Sequence, residues 1–164
     1  MPKLIALTVS VGVLAVLATW IFGLDPLVVA KLQVWQAFIA WGCHFHSGGG
    51  FTGSRNTVLC MSFGALVGMA AVMLAGHLGG LGSLAAPIAV GIGASVIVLA
   101  SSVSLLAVIP ASVYGFAAVA GLILLGTGVA PEQAIIPTIL SVIIGAIFGY
   151  VSEMVANALT KQGA

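Results

Sequence analysis

"FGALVGM", residues 63–69, recurs in kind as "IGAIFGY", residues 144–150, 81 positions further on. A second pair, "AFIAWG" at 37–42 and "FAAVAG" at 116–121, repeats at nearly the same offset. Small apolar residues are frequent enough in this chain for such a pattern to recur by chance. Two pairs sharing almost one register, in the same span order, weigh for an internal repeat. Gly64 with Gly68, and Gly145 with Gly149, are each four apart and so share one helix face. Glycines on such a face let helix backbones approach closely, within the chain or between protomers.

Composition sets the solvent of these helices. Hydrophobic residues make up 62% of the 164, charged residues 4%, and mean hydropathy is +1.32. Soluble domains carry about 25% charged residues, so this chain lacks the polar surface to face water. Long apolar runs without alternation predict spanning helices rather than a membrane barrel. The formal net charge of +1 gives no footprint for nucleic acid. Cys43 and Cys60 both fall near or inside apolar segments, and no disulfide framework is indicated.

At about 20 residues per span, six segments emerge: roughly 4–23, 28–47, 57–76, 84–108, 112–129 and 134–157. The first is too long for a secretory signal, and "ATWIFG" is a poor cleavage site. The second carries Lys31, Gln33 and Gln36, and Pro110 separates the fourth from the fifth. The expected fold is an all-α polytopic membrane bundle, a single integral domain over 1–164. Its halves are about 1–82 and 83–164, each of three spans. An odd number of spans inverts the second half, giving a 3+3 inverted repeat of the kind used by transport folds. Lys3, Arg55 and Lys161 then share one side, while Asp25, Lys31 and Glu132 take the other. The positive-inside rule makes both termini cytoplasmic in an inner membrane, with Trp20 and Trp35 at the outer interface.

Polar chemistry concentrates in "WGCHFHSGGGFTGSRN", residues 41–56. Counted from Leu32, a span ends near Phe51, so "CHFHSGGG" would break a helix inside the bilayer. Such backbone is tolerated only in protein or beside a water-filled cavity. The glycines of "GTG" at 126–128 end the corresponding span of the other half. On this reading His44 and His46 line a solute path, and Arg55 with Asn56 forms its positive vestibule. Ser95 and Ser102, seven apart on the fourth span, present hydroxyls to the same path. The plainer alternatives are headgroup contacts for the histidines, a topology anchor for Arg55 and close packing for the serines. Glu153 is a candidate partner for Arg55. A site of Cys43, His44, His46 and Cys60 would need a broken backbone, because the histidines fall on opposite faces of a helix, and the spacing matches no zinc pattern. No metal and no cofactor is assigned.

"WQAFIAWGCHFHSGGG" at 35–50, "GALVGMAAVMLAG" at 64–76, "AVIPASVYGFAAVAG" at 107–121 and "IIPTILSVIIGAIFGYVSE" at 135–153 carry a resemblance. They look like the YcdZ type of bacterial inner-membrane protein, a domain of unknown function. The resemblance covers most of the chain and implies fold and location but no activity; the Cys and His of "GCHFH" lie outside the shared pattern.

No nucleotide loop, serine–histidine–acid set or paired carboxylates is visible in the sequence, so no enzyme is expected. The leading expectation is a channel-like facilitator for a small neutral or anionic solute of the urea, ammonia or formate class. An accessory membrane subunit or scaffold is the alternative, and a Cys/His metal-binding membrane protein trails both. The expected partners are the lipid bilayer, the solute and further copies of the chain, as a dimer or trimer.

Overall fold

A computed structural model gives the structure of residues 1–161; the side chain of Lys161, used above to place the C-terminus, lies outside the described residues. Seven α-helices follow one another: α1 Lys3–Phe22, α2 Asp25–Val29, α3 Val34–His46, α4 Gly50–His77, α5 Ala85–Ala100, α6 Ile109–Leu124 and α7 Pro131–Lys161. Short 3-10 turns occupy Gly79–Leu84 and Ser104–Leu106, and no strand occurs among the described residues. Four stretches are long and apolar enough to cross a membrane: Lys3–Phe22, Gly50–His77, Gly79–Ala100 and Pro131–Thr160. Ile109–Leu124 is apolar but shorter. The chain is an all-helical protein with the helices of a membrane bundle.

Several expected boundaries move, each for a local reason. The segment 28–47 is not one helix, because Lys31 adopts φ 60° and divides α2 from α3. A non-glycine residue in that left-handed region stops a right-handed helix. The segment 84–108 ends as α-helix at Ala100, where Ser101 Oγ and Ser102 Oγ donate to Val98 O and Leu99 O. Serine hydroxyls that bind nearby carbonyls compete with the helical ladder. The third segment begins at Gly50 instead of 57, so Arg55 and Asn56 are helical. The break within "CHFHSGGG" is confined to Ser47–Gly49, between α3 and α4. Pro26, Pro110 and Pro131 stand at or next to the first residue of a helix, where no backbone donor is missed.

The packing exchanges elements between the halves. α1 lies on α7 and α5 on α4; α3 lies on α7 and α6 on α4; α4 and α7 pack against each other. The close contacts are made where side chains are missing. Gly64 meets the backbone of Ser112, and Gly115 meets that of Met61, joining α4 to α6. Gly145 meets the backbone of Ala37, joining α7 to α3. One turn on, a Cβ on Gly68 would lie 2.8 Å from Phe116 O, and one on Gly149 would lie 2.7 Å from the His44 side chain. All four glycines singled out in the sequence thus face partners within the chain. An assembly of copies has to use other surface.

Gly64→Ala and Gly145→Ala therefore force α4 from α6 and α7 from α3. Each is expected to lower stability by about 1–3 kcal/mol or more, the usual cost of overpacking. Gly76→Ala, whose added Cβ would meet nothing within 4 Å, is the control and should be neutral or gain about 1 kcal/mol from helix propensity. Unfolding of the detergent-solubilised protein checks the order; equal stability of all three would contradict the packing.

Candidate functional site

α3 ends with two histidines in opposite settings. The side chain of His44 is fully buried, whereas His46 is exposed and lies edge-on to Tyr114 with ring centroids 5.8 Å apart. Two residues along a helix turn a side chain to nearly the other face, so one histidine enters the bundle and its neighbour leaves it.

Both nitrogens of His44 are engaged. Nδ1 lies 2.9 Å from Ser54 Oγ on α4, and Nε2 lies 3.1 Å from Glu153 Oε2 on α7. Glu153 Oε2 also accepts a 2.6 Å hydrogen bond from the Gly50 N–H, the first amide of α4. A carboxylate at that position complements the positive end of the helix. Ser54 Oγ lies 3.5 Å from Ala146 O, to which it can donate instead. His44–Glu153 is the one ion pair among the described residues, formed when the imidazole is protonated.

Local conformation explains the convergence. Gly48, Gly49 and Gly50 have φ of 101°, 69° and 56°, all in the region that favours glycine. They turn the chain from α3 into α4 while leaving room for the acid: a Cβ on Gly49 would lie 2.9 Å from Glu153 Oε2. Gly149 does the same beneath the imidazole. Trp41 Nε1 donates to Ser152 Oγ at 3.0 Å, and Ser10 Oγ donates to Ser152 O at 2.8 Å, which pins α3 and α1 to α7 beside the pair. The carboxylate side chain of Glu153 is 31% exposed and opens onto a groove of about 470 Å³ with Phe51, Tyr150 and Asn157 on its walls.

The hydrogen-bond geometry accommodates His44 with one ring proton or with two. With neutral His44 donating from Nε2 to Glu153, Nδ1 accepts the Ser54 hydroxyl. With an imidazolium, both nitrogens donate and Ser54 turns its proton to Ala146 O. The choice of tautomer follows from the network. One buried side chain thus links α3, α4 and α7 through groups that accept a change of charge.

Of the residues assigned to the solute path in the sequence, only His44 belongs to this cluster. Glu153 pairs with His44 and not with Arg55, whose guanidinium is exposed and donates to Asn56 Oδ1 at 3.4 Å. Ser95 and Ser102 are exposed and donate to Gly91 O and Leu99 O of their own turns. Cys43 and Cys60 are buried; Cys43 Sγ lies 3.6 Å from Ser47 Oγ, and Cys60 Sγ from Leu105 O. Among the described residues no three His, Cys, Asp or Glu side chains converge to hold a metal ion.

Residues 8–157 match the family described as "Protein of unknown function (DUF1097)". The chain belongs to this family. No curated protein matches it, and no solved structure does. In this DUF1097 chain the residues that sequence reasoning missed are Ser54 and the pairing of Glu153. The available signal was scarcity: Glu153 is the only acid between Glu132 and the C-terminus, and it lies one turn beyond Gly149 on the same helix face.

Removing the acid tests the cluster. Glu153→Ala strands the Gly50 amide and His44 Nε2 and is expected to cost about 1–3 kcal/mol, the penalty for buried groups left unpaired. Glu153→Gln keeps one acceptor oxygen and should cost less, and Ser54→Ala about 1 kcal/mol. Chemical unfolding in detergent ranks the three; a neutral Glu153→Ala would mean that the pair holds nothing together.

Proposed function

We propose that the protein is a channel-like facilitator for a small solute, with a polar path between its two halves. The observation that carries this reading is a set of buried polar atoms without hydrogen-bond partners among the described residues: Gln36 Oε1, Thr57 Oγ1, Ser62 Oγ and Ser112 Oγ. Buried polar groups are nearly always paired, and each exception calls for an explanation. Gln36 is fully buried, and its amide nitrogen spans α6 and α7, donating to Ala118 O at 2.9 Å and Thr138 Oγ1 at 3.1 Å. Its oxygen is left to receive another donor. Ser112 Oγ has the weakly polar Cys60 thiol beside it. These are uncharged groups, and they favour a small neutral solute such as urea or ammonia over an anion such as formate. Arg55, exposed, stands at the rim and not in the interior.

The exchanged packing supports an inverted repeat of six crossings, with α2 and α3 together making the second. On that reading Gly68 and Gly149 correspond, as do their partners Val119 and His44, which sets α3 against α6 one helical turn away from the pairing of 37–42 with 116–121. Val72 and Ile135 then stand where Glu153 and Ser54 stand. One backbone frame is filled by apolar side chains at one end and by His44, Glu153 and Ser54 at the other. The frame therefore does not require the polar trio, which favours a functional role at the mouth of the path. Ser10 of α1 bonds Ser152 of α7 and the Gly50 amide bonds Glu153, so the first half of α1, the head of α4 and the last turns of α7 lie together. We assign that side to the cytoplasm of a bacterial inner membrane, with both termini there, from the positive-inside placement of Lys3 and Arg55.

Flux tests the reading. Liposomes containing the protein should pass urea or ammonia faster than formate, and His44→Ala and Gln36→Leu should change the rate several-fold while His46→Ala leaves it unchanged. No flux of any of the three solutes above that of empty liposomes would hand the protein to the scaffold reading. Reporter fusions after Lys3 and after Lys161 should both report the cytoplasm; opposite sides would end the six-crossing topology.

A further inference from the structure

α4 and α7 leave between them a surface groove that borders the mouth of the polar path at Ser54 and Arg55 and runs away from it along the two helices. It has a volume of about 370 Å³ and an almost wholly apolar wall, with Val58, Leu59, Ile143 and Ile147 along its length. Arg55, Phe51 and Tyr150 stand at the end nearest the start of α4. We propose that this groove holds one acyl chain of an anionic phospholipid, whose phosphate is bound by Arg55.

The charge pattern selects the occupant. Arg55 is exposed, and among the described residues no carboxylate pairs with it; its one side-chain contact is Asn56 Oδ1 at 3.4 Å. The acid nearest in the fold, Glu153, lies in the adjoining groove and is held by His44 and the Gly50 amide. A guanidinium matches a phosphate through paired N–H donors. Tyr150 beside it carries a ring and hydroxyl suited to headgroup depth. From Phe51 to Leu59 the groove follows α4 for about 12 Å, enough for much of one acyl chain.

The energetics assign the roles. In a bilayer an acyl chain leaves other chains, not water, so the apolar wall contributes contact rather than hydrophobic transfer. Discrimination among lipids then comes from Arg55. The other end of the bundle supplies a comparison: on the repeat, Ile136, 66% exposed, occupies the position of Arg55. Of these two positions Arg55 alone is a cation.

The test is lipid retention by the intact protein from nanodiscs of mixed phosphatidylglycerol and phosphatidylcholine, read by native mass spectrometry. The expected result is one phosphatidylglycerol held per chain, preferred about fivefold, which corresponds to the ~1 kcal/mol of one basic residue at an anionic surface. Arg55→Gln should abolish the preference and Arg55→Lys keep most of it. Ile147→Trp and Leu59→Trp, which fill the groove from exposed positions, should lower retention of both lipids. The helical circular dichroism of each variant is compared with that of the parent, so that loss of fold is not read as loss of lipid. Unchanged preference in Arg55→Gln, or unchanged retention in both tryptophan variants, overturns the proposal. So does efficient cross-linking of Ile147→Cys chains to each other without retained lipid, which would make the occupant a second copy. None of these outcomes depends on whether the protein conducts a solute.

Discussion

Four glycines hold the bundle together by what they lack. Inside a bilayer, apolar side chains gain little by leaving lipid for protein, so helices associate through close van der Waals contact and polar groups. Gly64 against Ser112 and Gly145 against Ala37 bring backbones together with no side chain between them. Every larger feature follows from those two contacts: α6 is placed on α4, α3 on α7, and each half is clasped by the last helix of the other. A methyl group on Gly145 would push α3 from α7 and carry His44 away from Glu153, and one on Gly64 would part α4 from α6.

What the sequence discloses and what it conceals divide along a physical line. Membrane class, long apolar helices and the glycine faces are local properties of composition and spacing, and they are visible at once. The break at Lys31 is not, because a lysine gives no local signal for a φ of 60°, the region that favours glycine. Nor is the early start of α4: polar residues from Thr52 to Asn56 read as a loop, yet they lie on a helix that extends beyond the apolar segment. Ser101 and Ser102 end α5 by bonding backwards, which competes with propensity and leaves no trace in hydropathy. The site was half legible. His44 stood out as a histidine in an apolar chain, but its partners are 10 and 109 positions away, and no local pattern connects them.

The two histidines show why position along a helix matters more than residue type. His44 and His46 are separated by a single phenylalanine, and the sequence treats them as a pair. The fold gives one to the interior, where serine and glutamate saturate it, and the other to the outside, beside an aromatic ring. The same holds for Arg55 and Glu153, which opposite charge suggests as partners. The glycine turn commits the acid to the end of α4 and leaves the base facing outward.

The unequal lengths of neighbouring helices shape the surrounding lipid. α3, with 13 residues, is about 20 Å long, and α6, with 16, about 24 Å, whereas the 31 residues of α7 reach about 46 Å. A hydrocarbon layer is about 30 Å thick. α3 lies against α7 and α6 against α4, so each short helix is backed by a long one that carries the apolar height it lacks. Placed in such a layer, a short helix is met by local thinning, and a thicker membrane would strain the bundle first at α3 and α6.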